Sequence, residues 1–154
     1  MLGVLNETEI EEVLAQNHVG RIGCHANGRT YVVPLSYAYS DGCVYAHTHE
    51  GLKIQMMRKN PSVCFQVDTM TDMSNWKSVI AWGDFEEITD GIERSKALKI
   101  LMKRKLPLLT SMTTLLSDDW PFHTEEFERI DGIVYKISLV EKSGRFELNG
   151  TSSF

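Results

Sequence analysis

The sequence predicts a mainly β chain with inserted helices, in which six antiparallel strands close into a barrel and leave few exposed edges. Three features predict this. Apolar residues alternate with a period of two through much of the chain, as half-buried strands require. Two dipeptides, Asn27-Gly28 and Asp41-Gly42, separate such runs and suit tight hairpin turns, whose central positions both need φ > 0. Between the strand runs, shorter stretches take a helical period behind capping residues. At 154 residues the chain fits one domain, residues 1–154, with a core that needs no metal or disulfide staple.

The elements follow in order. A short helix comes first, with Asn6 or Thr8 as cap, Glu9 and Glu11 three residues beyond them, and Ile10, Val13 and Leu14 as its apolar stripe. Residues 18–26, 29–40 and 43–49 then read as three strands joined by the two tight turns, a β-meander. In the second of these, Tyr31, Val33, Leu35, Tyr37 and Tyr39 share a face, and Pro34 implies an edge, a bulge, or a place where something other than a strand meets the backbone. A helix over 51–59 stops at Asn60-Pro61. A fourth strand spans 62–68, a polar loop follows, and a fifth strand spans 78–88. Asp90 and Glu93 open another helix, with Leu98, Leu101 and Met102 on its apolar side. Residues 107–129 lack a clear pattern, and 132–141 close the barrel as the sixth strand.

Composition excludes several function classes. The net charge of −5, with both signs interspersed, disfavours nucleic acid as a partner. No apolar run approaches the roughly 20 residues of a membrane span, and the acidic N-terminal segment is unlike a signal peptide. Cys24, Cys43 and Cys64 lie in strand-like contexts without a Cys-x-x-Cys pair, so they read as free thiols in a reducing, cytoplasmic protein.

The segment Tyr45-Ala46-His47-Thr48-His49-Glu50-Gly51-Leu52-Lys53 carries the most chemistry. A strand ends, a small residue turns the chain, and a helix begins; its unpaired N–H groups and dipole attract anions. Lys53 in the first turn opposes that dipole unless an anion binds, and Thr48 and His47 offer further donors. The same residues also read as a solvated lysine and two surface histidines at an ordinary turn. His47-x-His49 lacks the further ligand that a zinc site needs, so no metal is expected.

Taken together, these pieces resemble the pyridoxamine 5'-phosphate oxidase-like, FMN-binding split-barrel family, and within it the nitroimidazole-resistance branch. The resemblance rests on Gly20-Arg21-Ile22-Gly23, Val33-Pro34-Leu35-Ser36-Tyr37, Tyr45-Ala46-His47-Thr48, Gly51-x-Lys53, Asn60-Pro61-x-Val63-Cys64-Phe65 and Ser78-Val79-Ile80-Ala81-Trp82-Gly83, in that order and spacing. It implies a homodimer with FMN at the interface. It also implies that His47, Thr48 and Lys53 hold the FMN phosphate, that Pro34, Leu35 and Ser36 line the ring by backbone contact, and that Ser78 and Val79 approach the flavin from the fifth strand. Trp82, Trp120 and His123 are further candidates near the ring or the second subunit, although core or surface packing is the favoured reading of each.

The implied activity is an FMN-dependent oxidoreductase acting on a small aromatic, quinone or nitro-type molecule, with the redox chemistry left to the cofactor. Two rivals stay open: a flavin-binding protein without turnover, and a haem-binding relative using His123 or His25. Deazaflavin could also replace FMN. The family's vitamin B6 oxidases carry several phosphate-binding arginines, whereas this chain has only Arg29 near the second and third strands, and Arg129 and Arg145 near its end. B6 oxidation is therefore disfavoured.

Overall fold

The computed structural model describes residues 1–104 and 130–150. The elements are β1 (Leu2–Val4), α1 (Glu7–Gln16), β2 (Val19–Ala26), β3 (Arg29–Ser36), β4 (Ala38–Ser40), β5 (Cys43–Thr48), α2 (Leu52–Lys59), β6 (Ser62–Asp72), β7 (Asn75–Glu87), α3 (Gly91–Lys103) and β8 (Ile133–Glu147). All strand pairs are antiparallel, in the order β3-β2-β6-β7-β8-β5-β4, with β1 added along the far end of β8.

Local signals account for most of this. Asn6 accepts from the Glu9 amide while Glu9 reaches back to the Asn6 amide, a complete capping box at α1. Thr8 lies inside the helix. Asn27 and Gly28 (φ 53° and 75°) and Asp41 and Gly42 (φ 49° and 75°) form the two left-handed hairpin turns. Asp90 caps α3 through the Glu93 amide.

The described residues form eight strands where the sequence predicts six, because β1 is added and one predicted strand is divided; a further difference lengthens two of the others. Residues 2–4 add to β8, too short a run to show alternation. The expected loop after residue 68 is instead a hairpin: β6 and β7 stay paired down to Asp72 and Asn75, where the Asp72 carboxylate accepts from Ser74 and Asn75. The predicted strand 29–40 is divided in two. Residues 29–36 pair with β2 and 38–40 pair with β5, so the expected meander is two hairpins at opposite ends of one sheet. The chain changes partners at Tyr37, and that covalent step draws the two ends of the sheet towards each other.

The main core fills the barrel with Leu14, Ile22, Tyr37, Val44, Phe65 and Val67 and is plugged by Ile54 and Met57 of α2. A second cluster packs Ala97, Leu98 and Leu101 of α3 against Ala38, Ile88 and Val134. No helix among the described residues is long and apolar enough to cross a membrane. All three cysteines are free, with Cys24 buried.

At Gly83, β7 and β8 slip register, leaving Val140 unpaired. A Cβ there would lie 2.3 Å from the Ser138 carbonyl oxygen, a backbone atom that cannot move aside cheaply. Gly83→Ala should therefore lower stability by about 1–3 kcal/mol, the usual cost of overpacking, measured by urea unfolding.

Candidate functional site

The partner change at Tyr37 opens a fork. One tine is β3, which pairs with β2 on one side and, among the described residues, with no strand on the other. The second tine is the end of β5 beyond Tyr45, where β4 no longer covers its edge. Continuing the β4–β5 register would set Ser36 opposite His47, so the two sequence segments singled out above line the two sides of one gap.

Register decides which backbone groups face the gap. The Tyr37 amide donates to the His18 carbonyl at 2.9 Å, and hydrogen-bonded pairs alternate along an antiparallel ladder. Gly20↔Leu35 is then a bonded pair, while Val19↔Ser36 and Arg21↔Pro34 are not. Ser36 therefore turns its N–H and C=O, and Pro34 its C=O, towards the open side. Pro34 costs no ladder bond because its nitrogen also points there. Leu35 differs: its backbone is committed to Gly20 and its side chain is buried in the core. Counting from the Asp41-Gly42 turn, the His47 backbone likewise faces the gap.

Tyr37 holds the apex. Its ring is fully buried and meets Phe65 edge-on at 5.0 Å between centroids, and its hydroxyl donates to the Leu14 carbonyl at 2.6 Å. Burial pushes its phenol pKa up, so it stays a donor throughout the working range of the protein.

Past β5 the chain enters α2 through Gly51, which provides no side-chain cap. Lys53 sits in the first turn, partly buried. Among the described residues no carboxylate lies within ion-pair distance of its amine. Burial pulls its pKa below the ordinary 10.5, opposed by the nearby Cys24 sulfur of β2. Glu50, the nearest carboxylate in sequence, is instead held at 2.6 Å by Arg58, which also grips Glu87 through two bonds of 2.9 Å. This pairing removes a negative charge from the helix start and ties α2 to the end of β7. Thr48 is buried on the same strand face as Val44 and Ala46.

His47 points the other way. Its Nε2–H donates to the Asp131 carbonyl at 2.5 Å, and the ring packs 5.9 Å from His49. Gly132 (φ 96°) lies so close that a Cβ would stand 2.7 Å from His47 Nε2 and 2.8 Å from the Thr48 carbonyl oxygen. Arg94 adds a bond of 2.6 Å to the Ile130 carbonyl. The return of the chain at 130–132 is thus clamped against the end of β5. Sequence reasoning does not reach this contact, because nothing in the spacing links residues 47 and 132.

The fifth-strand candidates separate by face. Ser78 stands on the outer face, where its Oγ accepts from Gln66 at 3.1 Å, and Val79 is fully buried in the core. Pro34, Arg21, Gln66 and Ile80 form one row across that outer face; Val32, Gly23, Cys64 and Trp82 form the next. Ser36, Pro34 and Ser78 therefore share a surface, with Leu35 and Val79 beneath it. Trp82 is on this surface too, 41 % exposed. His25, also on it, bonds Thr30 at 3.0 Å. Trp120 and His123 lie outside the described residues. The described residues contain no His/Cys/Asp/Glu group arranged to hold a metal ion. The arrangement can grip a flat group by its polar edge at the open strands and an anion at Lys53 and the α2 start.

Comparison with known proteins places this geometry. The family model described as pyridoxamine 5'-phosphate oxidase matches residues 6–145. An uncharacterised protein of Rhizobium meliloti is 33 % identical over 105 residues, covering 66 % of this chain and 70 % of that one. The crystal structure of a FAD-binding protein from Mesorhizobium loti is 35 % identical, with a TM-score of 0.73 over 96 % of this chain and 99 % of that one. A Bacteroides thetaiotaomicron structure, described as a candidate 5-nitroimidazole antibiotic resistance protein, shares the fold at 22 % identity and a TM-score of 0.69, over 95 % and 87 % of the two chains. With a match spanning nearly the whole chain, this protein belongs to the pyridoxamine 5'-phosphate oxidase family.

Proposed function

We propose that the chain is a flavoprotein oxidoreductase that binds FMN, or the FMN half of a larger flavin nucleotide, along the fork, and works as a homodimer. One observation carries the reading: a partly buried lysine with no carboxylate partner among the described residues stands at the helix start that follows the open end of β5. The donor set fits the group. Pro34 C=O, Ser36 N–H and C=O, and the His47 backbone match the alternating donors and acceptors on a flavin ring edge. Lys53, Thr48 and the α2 amides suit a phosphate. When bound, the flavin supplies the centre that takes up and passes on electrons. The residues of this chain bind and orient it. Tyr37 keeps the gap open, Arg58 draws the Glu50 charge away from the phosphate position, and the Asp131 carbonyl fixes the His47 ring.

The homodimer reading rests on the outer face. Val32 (62 % exposed), Ile80 and Trp82 form an apolar patch beside Pro34 that a second copy would cover. Light scattering should then give twice 17.5 kDa. The enzyme reading is tested by anaerobic addition of NADH or NADPH to flavin-loaded protein, followed by a quinone or nitroaromatic acceptor. Bleaching and then recovery of the flavin absorbance is expected; a flavin that no donor reduces indicates a binder without turnover. Phosphodiesterase treatment of the released flavin separates FMN from FAD.

Lys53→Ala should weaken FMN binding by about 1–3 kcal/mol, the cost of a lost charge-assisted hydrogen bond, in a fluorescence titration. Affinity should also fall as pH rises through the lowered Lys53 pKa, below 10.5, because only the ammonium grips phosphate. The sign for folding is opposite: the unfolded chain binds more protons in that window, so Lys53 makes the free protein more stable as pH rises. A flat pH profile for FMN affinity in that range would remove Lys53 from the site.

A further inference from the structure

The outer face beside the fork holds a cavity of about 420 Å³ that the cofactor reading leaves unused. Its floor is apolar, formed by Val32, Val63 and Trp82, and Arg21 stands at its side. Arg21 pairs across the ladder with Pro34, so its side chain shares the face towards which the fork opens. The guanidinium is exposed, and among the described residues no carboxylate or other acceptor lies within bonding distance of it. Among the described residues no carboxylate lines the cavity. The nearest on the same face is Asp68, two residues along β6, and it is already engaged by the Gln66 amide at 3.0 Å. Asp84, opposite Ser62, and Glu141, opposite Trp82, stand on the neighbouring strands.

We propose that this cavity is the substrate subsite and that it takes a planar aromatic anion, its ring on Val32 and Trp82 and its negative group on Arg21. Three properties select this class. An apolar floor with an indole favours a flat ring over a polar or branched molecule. A guanidinium with no counter-charge among the described residues rewards a planar oxyanion, which it can meet with two parallel hydrogen bonds. The volume suits a one- or two-ring compound. If a second copy covers this face, the cavity becomes enclosed, and the Arg21 charge then needs an anionic ligand all the more. The assignment as a substrate subsite rests on the flavin reading above, whereas the anion preference rests on the cavity alone.

Benzoate and benzamide, nearly the same shape and differing in charge, are the probes, added to the protein as purified and followed by the Trp82 contribution to fluorescence and by calorimetry. A Trp82→Phe variant identifies the reporting residue. Benzoate should bind at least about tenfold more tightly than benzamide, with an affinity that falls as salt rises, and Arg21→Gln should erase the difference. Arg21 is exposed and makes no bond to another described residue, so this variant keeps its fold. Equal binding of the two probes, no binding of either, or an unchanged preference in Arg21→Gln would overturn the proposal. Because the readout is protein fluorescence and heat, the result stands whether or not the protein carries flavin: loss of flavin with retained benzoate preference counts against the cofactor reading alone.

Discussion

Tyr37→Ala should lower stability by about 3–5 kcal/mol, the range for removing a fully buried aromatic ring, and should abolish flavin binding with it. The ring fills the core against Phe65, and its hydroxyl satisfies the Leu14 carbonyl. Removing both leaves a void at the point where one strand leaves β2 for β5. Tyr37→Phe separates the two roles, since it keeps the packing and loses only the bond, which costs about 1 kcal/mol. Leu98→Ala is the control: it lies in the second core cluster, outside the barrel core that Tyr37 fills, and should cost about 2–5 kcal/mol while leaving flavin affinity unchanged well below its melting temperature. If Tyr37→Phe and Leu98→Ala reduced affinity only in proportion to lost stability, Tyr37 would be a core residue and nothing more.

Gly132→Ala is the second large effect. The position has φ 96°, where an L side chain is strained, and the new Cβ would press on both the His47 ring and the Thr48 carbonyl. Two penalties add, and about 2–4 kcal/mol is expected in denaturant unfolding. The functional consequence is more specific. His47 and Thr48 form the end of the β5 tine, so displacing them should lower FMN affinity together with stability, unlike in Gly83→Ala, where the obstacle is the β8 backbone. Equal FMN affinity in the two glycine variants would show that the 130–132 clamp does not shape the site.

Much of the fold is legible in the sequence because its signals are local. Asn27-Gly28, Asp41-Gly42, the Asn6–Glu9 box and the Asp90 cap each fix their element through atoms a few residues apart. Strand alternation correctly sends Val33, Leu35, Tyr37 and Tyr39 to the core side. What the pattern cannot show is a change of partner inside an unbroken strand. Residues 29–40 alternate without interruption, and only the competition between β2 and β5 for the same chain divides them at Tyr37. Pro34 is the one local hint of an open edge.

The candidate residues follow the same division. Pro34 and Ser36 lie on the open edge of β3, and Thr48 and Lys53 at the end of β5 and the start of α2, while Leu35 and Val79 end in the core by simple alternation. His47 is on the fork through its backbone, but its ring serves the Asp131 carbonyl, a contact across 84 residues. Arg21 is unremarkable in sequence; its isolation beside an apolar floor is a property of the folded sheet alone.

Whether the fork holds a flavin is read from the absorption spectrum of the purified protein, taken before and after loading with excess FMN and desalting. Flavin bands should remain with the protein after desalting and be lost far more readily from Lys53→Ala. A protein that stays colourless after loading, with Lys53→Ala indistinguishable from it, would mean that the fork holds no flavin.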